Sequence, residues 1–442
     1  MNEALPRLTV LGTGYLGATH AICMAVLGFE VLGLDVDQSK VDRLAAGEVP
    51  FFEPGLPELL TKALESGRLR LTTSYREAAD FGDVHFVCVG TPQQPGSQAA
   101  DLRYVDAAVT SLAGHLTRRA LVVGKSTVPV GTAERLTALL QRTAPAGAQV
   151  ELAWNPEFLR EGYAVDDTMK PDRLVFGVAS EWATEQLHAA FAPVLQNGTP
   201  VVVTDLKTAE LVKVAANSFL ATKISYINAM AEVCEATGAD VRDLARALAY
   251  DDRIGGRFLH PGLGFGGGCL PKDIRAFAHR AGEIGAGQAV AFLREVDAIN
   301  LRRRARTVDL VRELLGGEFA GRKVAALGAA FKPNSDDIRD SPALDVAASL
   351  HALGAEVRVY DPAAVENARR VQPQLAYGTS AMDAARGADV VVLLTEWADF
   401  RQIDPEALGR VVGHRRIVDG RHALEPASWR DAGWTYRALG RP

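Results

Sequence analysis

A cysteine at the end of a glycine-rich stretch is the residue of this sequence with the clearest capacity for chemistry. Cys269 follows five glycines between residues 262 and 268, and Lys272 and Asp273 come soon after it. A thiolate is a nucleophile, a nearby ammonium favours that ionised form, and a carboxylate can handle protons. Because glycine lets another molecule approach the backbone closely, the stretch predicts a tight cradle around a ligand. A flexible loop that ends in a buried cysteine is the alternative that the stretch alone leaves open.

A second motif predicts a dinucleotide site. The segment GTGYLG, from Gly12 to Gly17, lies between a predicted buried strand and a predicted helix, and Asp35 closes the next strand. In a Rossmann unit, Gly12, Gly14 and Gly17 supply the tight turn, the room for a pyrophosphate and the close helix packing. The helix N-terminus binds the phosphates. Asp35 is expected to accept hydrogen bonds from the ribose hydroxyls and to repel the extra phosphate of NADP, so the sequence favours NAD.

The hydrophobic pattern predicts the elements that position these residues. Short apolar runs alternate with helical patterns in the first and last parts of the chain, which is typical of parallel sheets. Between them, Ala209–Thr237 and a long pattern from Ala289 to about Leu315 have apolar residues at helical spacing. The predicted fold class is α/β, with two Rossmann-like parallel-sheet domains joined by a central helical segment with a long connecting helix. We expect domains at residues 1–205, 206–316 and 317–442, and the middle one, which carries the cysteine loop, is a natural dimer core.

Polar residues at predicted strand ends are further candidates, because ligands of open parallel sheets bind beyond the carboxyl ends of the strands. Thr91 and Thr127 each follow a buried strand, where a threonine can bond a ligand or cap a helix. Glu157 and Glu161 follow another strand, four residues apart. These two carboxylates are compatible with a shared site and equally with one solvated helical face.

Several basic positions have two interpretations each. Lys213 and Asn217 are four residues apart in a predicted helix, so they share a face that is either solvated or turned to a site. Lys332, which follows Phe331, and Arg421 lie at predicted strand ends of the last domain, where cations suit phosphate groups. Ordinary solvated loop charges are the alternative for both cations.

Composition and charge exclude several classes of function. The 442 residues carry a formal net charge of −6 without a block rich in Lys and Arg, so a nucleic-acid partner is not expected. The arginine cluster at Arg302–Arg304 and Arg306 is interpreted as the solvated face of a helix. Four cysteines without CxxC or Cys/His spacing predict neither disulfides nor a metal site, and Cys88, inside an apolar strand, is expected in the core. No apolar run is long enough to span a bilayer and no signal-peptide pattern is present, so we expect a cytoplasmic protein without a membrane partner.

Together, the motifs resemble those of the UDP-glucose/GDP-mannose dehydrogenase family, in the same order over nearly the whole chain. The matching segments are GTGYLG, KSTVPVGT, NPEFLREG, ELVKVAANSFLA, YDDRIG, GFGGGCLPKD, FKPNSDDIRDSPA and a late DGR. Several motifs in order are more specific than any one of them. YDDRIG is similar to the branch of the family that acts on UDP-glucose. The irregular stretch after Pro92 departs from the family pattern and leaves the loop on the nicotinamide side undefined.

The resemblance implies a two-step, four-electron oxidation of UDP-glucose to UDP-glucuronate with NAD as cofactor. In this family a cysteine attacks the aldehyde stage to form a thiohemiacetal, loss of hydride gives a thioester, and water hydrolyses it. The implied catalytic residues are Cys269, Lys213, Asp273, Asn217, Glu161 and Thr127. Oxidation of GDP-mannose or of a UDP-N-acetylhexosamine is the alternative within the family. A catalytically inactive nucleotide-sugar binder is the alternative from another class of protein.

The same resemblance implies the binding residues, with NAD bound by the first domain and the UDP-sugar by the last. The expected NAD contacts are Gly12, Gly14, Tyr15, Leu16, Gly17, Asp35, Lys40, Thr91, Thr127, Glu161, Lys272 and Arg339. The expected UDP-glucose contacts are Glu157, Phe158, Leu159, Lys213, Asn217, Phe265, Gly266, Phe331, Lys332 and Arg421. Arg253 would reach the substrate of the neighbouring subunit, so a homodimer with a shared active site is expected.

Overall fold

Each half of the chain builds its own β-sheet. A computed structural model describes residues 5–441, which divide into two compact units, one up to Ala216 and one from Asn217. The boundary falls inside a helix that runs from Leu206 to Thr237. The sequence-based division into three domains stays a prediction.

The first unit contains an eight-stranded sheet. Its strands are β1 (Leu8–Leu11), β2 (Val31–Leu34), β3 (Leu69–Thr72), β4 (Val84–Val87), β5 (Ala120–Gly124), β6 (Val150–Trp154), β7 (Leu174–Gly177) and β8 (Val201–Thr204). They lie in the order β3-β2-β1-β4-β5-β6-β7-β8, with neighbours parallel except for β6 and β7. β1 and β4 are buried at every position, as expected for continuous apolar runs in a sheet covered on both faces.

Helices connect these strands and define where a ligand can bind. They are α1 (Tyr15–Val26), α2 (Gln38–Ala45), α3 (Leu56–Glu65), α4 (Tyr75–Phe81), α5 (Arg103–Ala113), α6 (Thr132–Thr143), α7 (Ala164–Met169), α8 (Glu181–Ala190) and α9 (Ala192–Leu195), with a 3₁₀ turn at Gly147–Gln149. The strand order reverses between β1 and β4. In doubly wound sheets, ligands bind at the carboxyl ends of the strands at this reversal, so the turn after β1 is the expected dinucleotide position.

Helices dominate the middle of the chain, as predicted. They are α10 (Leu206–Thr237), α11 (Val241–Ala249), α12 (Leu270–Glu283) and α13 (Phe292–Leu315). Asp240 caps the N-terminus of α11, and Gly316, with φ +79°, ends α13 in a left-handed turn. Within residues 5–441, no helix combines the length and the apolar character that crossing a membrane requires.

The second unit also contains a six-stranded parallel sheet. Its strands are β9 (Lys323–Leu327), β10 (Glu356–Tyr360), β11 (Ala376–Tyr377), β12 (Val390–Leu393), β13 (Arg416–Asp419) and β14 (Thr435–Ala438), in the order β11-β10-β9-β12-β13-β14. The helices are α14 (Pro342–Ala352), α15 (Val365–Val371), α16 (Ala381–Ala384), α17 (Ala398–Arg401), α18 (Pro405–Gly409) and α19 (Pro426–Asp431). The predicted α/β class, with two Rossmann-like sheets and helices between them, is confirmed.

Two arginines of α13 are buried, which corrects one sequence interpretation. Arg303 is 1% exposed and its guanidinium lies 2.7 Å from a carboxylate oxygen of Glu235. Arg304 is 7% exposed and pairs with Asp340 at 2.9 Å. The carboxylates compensate the buried charges, and the long aliphatic stems pack as apolar groups. The interpretation of Arg302–Arg304 as a solvated face is therefore wrong for Arg303 and Arg304.

Candidate active site

The turn between β1 and α1 has the geometry that a dinucleotide requires. Gly12 has φ +88°, and a Cβ there would lie 2.8 Å from Val89 Cγ1. A Cβ on Gly17 would lie 1.7 Å from the Gly12 carbonyl oxygen, so glycine is required for the helix to pack against the turn. A Cβ on Gly14 would have no atom within 4 Å, and no side chain caps the N-terminus of α1. The open Gly14 position and the helix N-terminus fit the pyrophosphate of a dinucleotide.

Asp35 is held in a fixed orientation beside this turn. It is 6% exposed, and its Oδ2 accepts hydrogen bonds from the Thr13 backbone N–H at 2.8 Å and hydroxyl at 3.1 Å. Its Oδ1 accepts the N–H of Asp37 at 3.0 Å. Lys40 Nζ lies 3.7 Å from Oδ2, so two of the predicted cofactor residues are close together. A carboxylate oriented in this way fits the ribose hydroxyls of NAD.

The ends of β4 and β5 bring the two predicted threonines together. The Thr91 hydroxyl donates to the Thr127 carbonyl at 2.8 Å. Beside them, Lys125 is buried and its Nζ donates to Asn155 Oδ1 at 2.7 Å. Burial lowers the pKa of Lys125, and the charge of Lys213 acts in the same direction. Cys88 is buried as predicted, and burial raises the pKa of its thiol to about 12.

Glu157 and Glu161 lie in the loop between β6 and α7, so the alternative of one solvated helical face is wrong. Glu157 Oε1 lies 3.0 Å from Nζ of the buried Lys213, and Glu157 Oε2 accepts the N–H of Leu159 at 2.7 Å. Lys213 Nζ also lies 5.5 Å from the centre of the Phe158 ring. Glu161 is 9% exposed. The structure thus groups Lys213 with three predicted substrate residues.

The glycines before Cys269 leave room for the protein's own groups. A Cβ on Gly264, which has φ +99°, would lie 2.3 Å from Asn300 Oδ1, and one on Gly266 would lie 2.4 Å from the Asp340 carbonyl. A Cβ on Gly268 would lie 2.3 Å from the Arg339 guanidinium carbon. The stretch was predicted to be a cradle around a ligand. At these glycines, the close approach is instead with other parts of the same chain.

Cys269 is exposed at the N-terminal cap of α12, so the alternative of a buried cysteine is wrong. One turn into the helix, Asp273 is 1% exposed and its N–H donates to the Cys269 carbonyl at 2.9 Å. Asn217 Nδ2 donates to Asp273 Oδ2 at 2.6 Å, and Lys272 Nζ lies 2.8 Å from Oδ1. The arrangement joins an accessible thiol to a buried carboxylate whose two oxygens have separate partners.

Arg421 joins the cysteine loop to the second sheet. Its guanidinium donates to the carbonyls of Gly264 at 2.8 Å, Leu394 at 2.8 Å and Phe331 at 3.2 Å, and burial lowers its pKa. Among the other predicted substrate residues of this unit, Lys332 Nζ lies 5.2 Å from the ring centre of Phe331.

Two predicted arginines lie at the surface. The side chain of Arg339 is 62% exposed and pairs with Asp337 at 2.7 Å, although its backbone carbonyl accepts the N–H of Gly267. The side chain of Arg253 is 89% exposed and pairs with Asp251 at 2.6 Å. The structure of the single chain therefore places Arg253 outside the contacts that join the cysteine loop to the sheet.

Sequence reasoning missed three buried polar residues that support these groups. Lys125 and Asn155 form the pair described above, and Glu53 accepts hydrogen bonds from the segment that follows Glu161. The one available signal was position, since Lys125 and Asn155 directly follow predicted strands. Nothing in the sequence around Glu53 indicates its distant partners.

Family models match three consecutive parts of the chain. They describe the NAD binding domain, the central domain and the UDP binding domain of the UDP-glucose/GDP-mannose dehydrogenase family, and they match residues 6–195, 207–302 and 325–426. The matches include the glycine turn, the cysteine loop and most of the second sheet, with β14 and the first two residues of β9 outside the matched range.

Individual relatives match over the full length. The chain is 40% identical to the UDP-glucose 6-dehydrogenase of Rhizobium meliloti (strain 1021), over 99% of this chain and 100% of that protein. The structure of a UDP-glucose dehydrogenase from the hyperthermophilic archaeon Pyrobaculum islandicum has a TM-score of 0.92 at 38% identity, covering 100% of this chain and 99% of that one. The UDP-D-ManNAc dehydrogenase of Pyrococcus horikoshii has a TM-score of 0.86 at 28% identity, covering 98% and 99%.

Proposed function

We propose that this chain, which belongs to the UDP-glucose/GDP-mannose dehydrogenase family, oxidises UDP-glucose to UDP-glucuronate through a thioester on Cys269. The chain is an NAD-dependent oxidoreductase. The observation that carries the proposal is the 40% identity to a UDP-glucose 6-dehydrogenase over the full length, in a chain that keeps an exposed cysteine at the head of α12.

The residues around the first glycine turn suit NAD. Gly12, Gly14, Tyr15, Leu16 and Gly17 would hold the pyrophosphate, and Asp35 with Lys40 would hold the adenosine ribose. Thr91, Thr127, Glu161, Lys272 and Arg339 are the further proposed contacts. Two NAD molecules, bound one after the other, would supply the hydride acceptors of the two oxidations.

Lys213 is proposed to assist removal of the proton in the first oxidation. The alcohol at the 6-position loses a hydride from carbon to NAD and a proton from oxygen to water, which gives an aldehyde. A buried ammonium paired with Glu157 at 3.0 Å can stabilise the negative charge that develops on this oxygen. Asn217 would donate a hydrogen bond to the same oxygen, with Thr127 beside it.

Cys269 is the proposed nucleophile of the second stage. Its thiolate adds to the aldehyde carbon, and the oxygen of the thiohemiacetal takes up a proton. Loss of a second hydride and of that proton gives the thioester. The N-terminus of α12, where Cys269 is the N-cap residue, favours an anionic sulfur through the positive end of the helix dipole.

Hydrolysis then restores the thiol group. The oxygen of a water molecule bonds to the acyl carbon, the carbon–sulfur bond breaks, and the thiolate leaves. Asp273, buried and oriented by Asn217 and Lys272, is the proposed acceptor of the proton of that water. Glu161 is proposed to place the water.

The sugar nucleotide is proposed to bind the residues predicted from the resemblance. These are Glu157, Phe158, Leu159, Lys213, Asn217, Phe265, Gly266, Phe331, Lys332 and Arg421. UDP-glucose is favoured over a UDP-N-acetylhexosamine because identity to the UDP-glucose dehydrogenase of P. islandicum is 38%, against 28% for the UDP-D-ManNAc dehydrogenase of P. horikoshii.

A homodimer that shares its active sites completes the proposal, with Arg253 reaching the substrate of the partner subunit. Phe219, Tyr226 and Val233 repeat every seven residues along α10 and are 65%, 49% and 52% exposed. Apolar residues at this spacing form one stripe of the helix, and a second copy of the chain would cover it.

A panel of nucleotide sugars tests the substrate. The purified protein is mixed with NAD and with UDP-glucose, GDP-mannose or a UDP-N-acetylhexosamine, and NADH formation is followed. We expect the highest kcat/KM with UDP-glucose. NADH formation with another sugar and none with UDP-glucose would refute this choice of substrate, and none with any sugar would favour a nucleotide-sugar binder.

A further inference from the structure

The buried carboxylate of Glu53 receives hydrogen bonds from three groups that are distant in sequence. Glu53 is 3% exposed and lies between α2 and α3. Its Oε2 accepts the N–H of Gly162 at 2.7 Å and the hydroxyl of Tyr15, and its Oε1 accepts the N–H of Ala164 at 2.7 Å. A buried carboxylate is tolerated here because each of its oxygens has a donor.

Two of these donors, the N–H groups of Gly162 and Ala164, belong to the segment that carries Glu161. Gly162 directly follows Glu161 and has φ +79°, and Ala164 is the first residue of α7. On the other side, the N–H of Arg160 donates to Asp167 Oδ2 at 2.8 Å. The backbone of Glu161 is therefore held on both sides by carboxylates, and the buried one is Glu53.

Tyr15 connects this carboxylate to the glycine turn. It is the first residue of α1, and its ring centre lies 4.6 Å from that of Phe51. Burial, reinforced by the hydrogen bond to Glu53, raises the pKa of Tyr15, so the hydroxyl stays protonated and donates. The Tyr15 oxygen also accepts the N–H of Gly162 at 3.0 Å, which closes a ring of hydrogen bonds.

We propose that Glu53 is a positioning residue that orients Glu161 for hydrolysis of the thioester. This inference rests on the proposed function, in which Glu161 places the attacking water. In that step one carbon–oxygen bond forms, one carbon–sulfur bond breaks, and no electrons are transferred to a cofactor. At saturating NAD, which compensates for the proposed contact of Glu161 with the cofactor, a displaced Glu161 therefore slows the release of product more than the two oxidations that precede it.

Glu53→Gln is the sharpest test because it keeps the shape of the side chain. An amide has one acceptor oxygen in place of two, so its NH₂ group would face another donor. That donor is the Ala164 N–H in one orientation, and the Gly162 N–H with the Tyr15 hydroxyl in the other. Glu58→Gln, an exposed position at the start of the neighbouring α3, is the matched control. Glu161→Gln shows the effect of removing the Glu161 carboxylate itself and serves as the reference.

Two sets of measurements are made on the full chain: NADH formation and intact mass with UDP-glucose and NAD, and amide hydrogen exchange on the free protein. We expect Glu53→Gln to give a rapid first formation of NADH, a steady-state rate lower by about ten- to a hundredfold, and a sugar adduct on Cys269 detected by intact mass. Amide hydrogen exchange across residues 160–166 should become faster in the free protein. Glu161→Gln should give the same adduct, and Glu58→Gln should match the parent in both measurements.

A steady-state rate and exchange equal to those of the parent in Glu53→Gln would overturn the proposal. Faster exchange with a parental rate and no adduct would also overturn it, because Glu53 would then serve only the fold. If Glu53→Gln does not fold, Tyr15→Phe is used instead, because it removes one of the hydrogen-bond donors to Glu53. It should lower the steady-state rate about threefold and still accumulate the adduct on Cys269. Absence of the adduct would refute the positioning role of Glu53. If the parent protein forms no NADH, the proposed function is refuted. In that case, amide exchange in Glu53→Gln equal to that of the parent would separately refute the positioning of residues 160–166 by Glu53.

Discussion

At the residue scale, Asp35 is the residue proposed to set the choice of cofactor. Its two oxygens are oriented by Thr13 and Asp37, so the charge lies in a fixed place at the end of β2. A second phosphate on the ribose would meet this negative charge, and the repulsion is strong in a partly buried site. In the proposed site, the same carboxylate would accept hydrogen bonds from the ribose hydroxyls of NAD.

Asp35→Asn should narrow the preference for NAD over NADP. The substitution keeps the shape and removes the charge, so KM for NAD should rise roughly ten- to a hundredfold while KM for NADP falls. Asp37→Asn is the matched control, because Asn retains the helix cap that Asp37 provides for α2. Steady-state kinetics with both cofactors decide. Equal efficiency of the parent with NAD and NADP would contradict the role of Asp35.

Cys269 is the residue proposed to hold the aldehyde during the second oxidation. A serine hydroxyl is far less ionised than a thiol, and an ester hydrolyses less readily than a thioester. We expect Cys269→Ser to turn over slowly and to accumulate a sugar ester on the substituted residue, which intact mass spectrometry detects. Cys269→Ala should form no adduct. UDP-glucuronate formation by Cys269→Ala at the parent rate would show that the thiol has no catalytic role.

At the element scale, the cysteine loop depends on close packing against α13. Gly264 has φ +99°, its Cβ position lies 2.3 Å from Asn300 Oδ1, and Asn300 exchanges hydrogen bonds with Phe265 in both directions, at 2.7 and 2.9 Å. Any side chain at position 264 must therefore displace the amide that holds the loop.

Gly264→Ala should destabilise the protein by at least about 2 kcal/mol and abolish most activity, since it combines backbone strain with overpacking. Gly282→Ala in α12 is the matched control, because its Cβ would meet no atom within 4 Å. This second change should leave stability equal or raise it by about 0.5 to 1 kcal/mol. Urea unfolding with activity assays measures both. Equal stability of the two variants would contradict the packing role of the loop.

The elements themselves were predictable because their signals are local. The apolar runs of β1 and β4 and the helical spacing of α10 and α13 are visible in short windows of sequence. The support of the site was not predictable, because its partners are far apart along the chain. Glu53 meets Gly162, and Arg304 meets Asp340, through contacts that exist once the chain has folded. From its own segment of sequence alone, each of these residues is indistinguishable from an ordinary surface charge.

The site residues were predicted from motifs, and the structure adds their partners. Cys269, Asp273 and Lys272 were expected near one another from spacing alone, while the bond from Asn217 to Asp273 spans 56 residues. The exposed pair of Arg253 and Asp251 illustrates the opposite limit, since the resemblance implies a contact of Arg253 with the substrate of a neighbouring subunit. A role for Arg253 depends on a second copy.

At the scale of the whole molecule, the proposed dimer can be separated from the chemistry. Tyr226→Asp places a charge in the exposed apolar stripe of α10 and should dissociate the dimer, with loss of activity. Val371→Asp, at another exposed apolar position, should change neither property. Arg253→Ala should leave the dimer intact and raise KM for UDP-glucose more than for NAD. Sedimentation measures the oligomeric state of the three variants, and steady-state kinetics measure their KM and kcat. A monomeric variant with the KM and kcat of the parent would rule out a shared site.

The yield of NADH per UDP-glucose consumed tests the four-electron reaction most directly. With UDP-glucose limiting and NAD in excess, the reaction is followed to completion and both the NADH and the sugar acid are quantified. Two oxidations on one enzyme predict two NADH and one UDP-glucuronate for each UDP-glucose. One NADH with release of the aldehyde would contradict the covalent second stage, and no NADH would contradict the proposed oxidation of UDP-glucose as a whole.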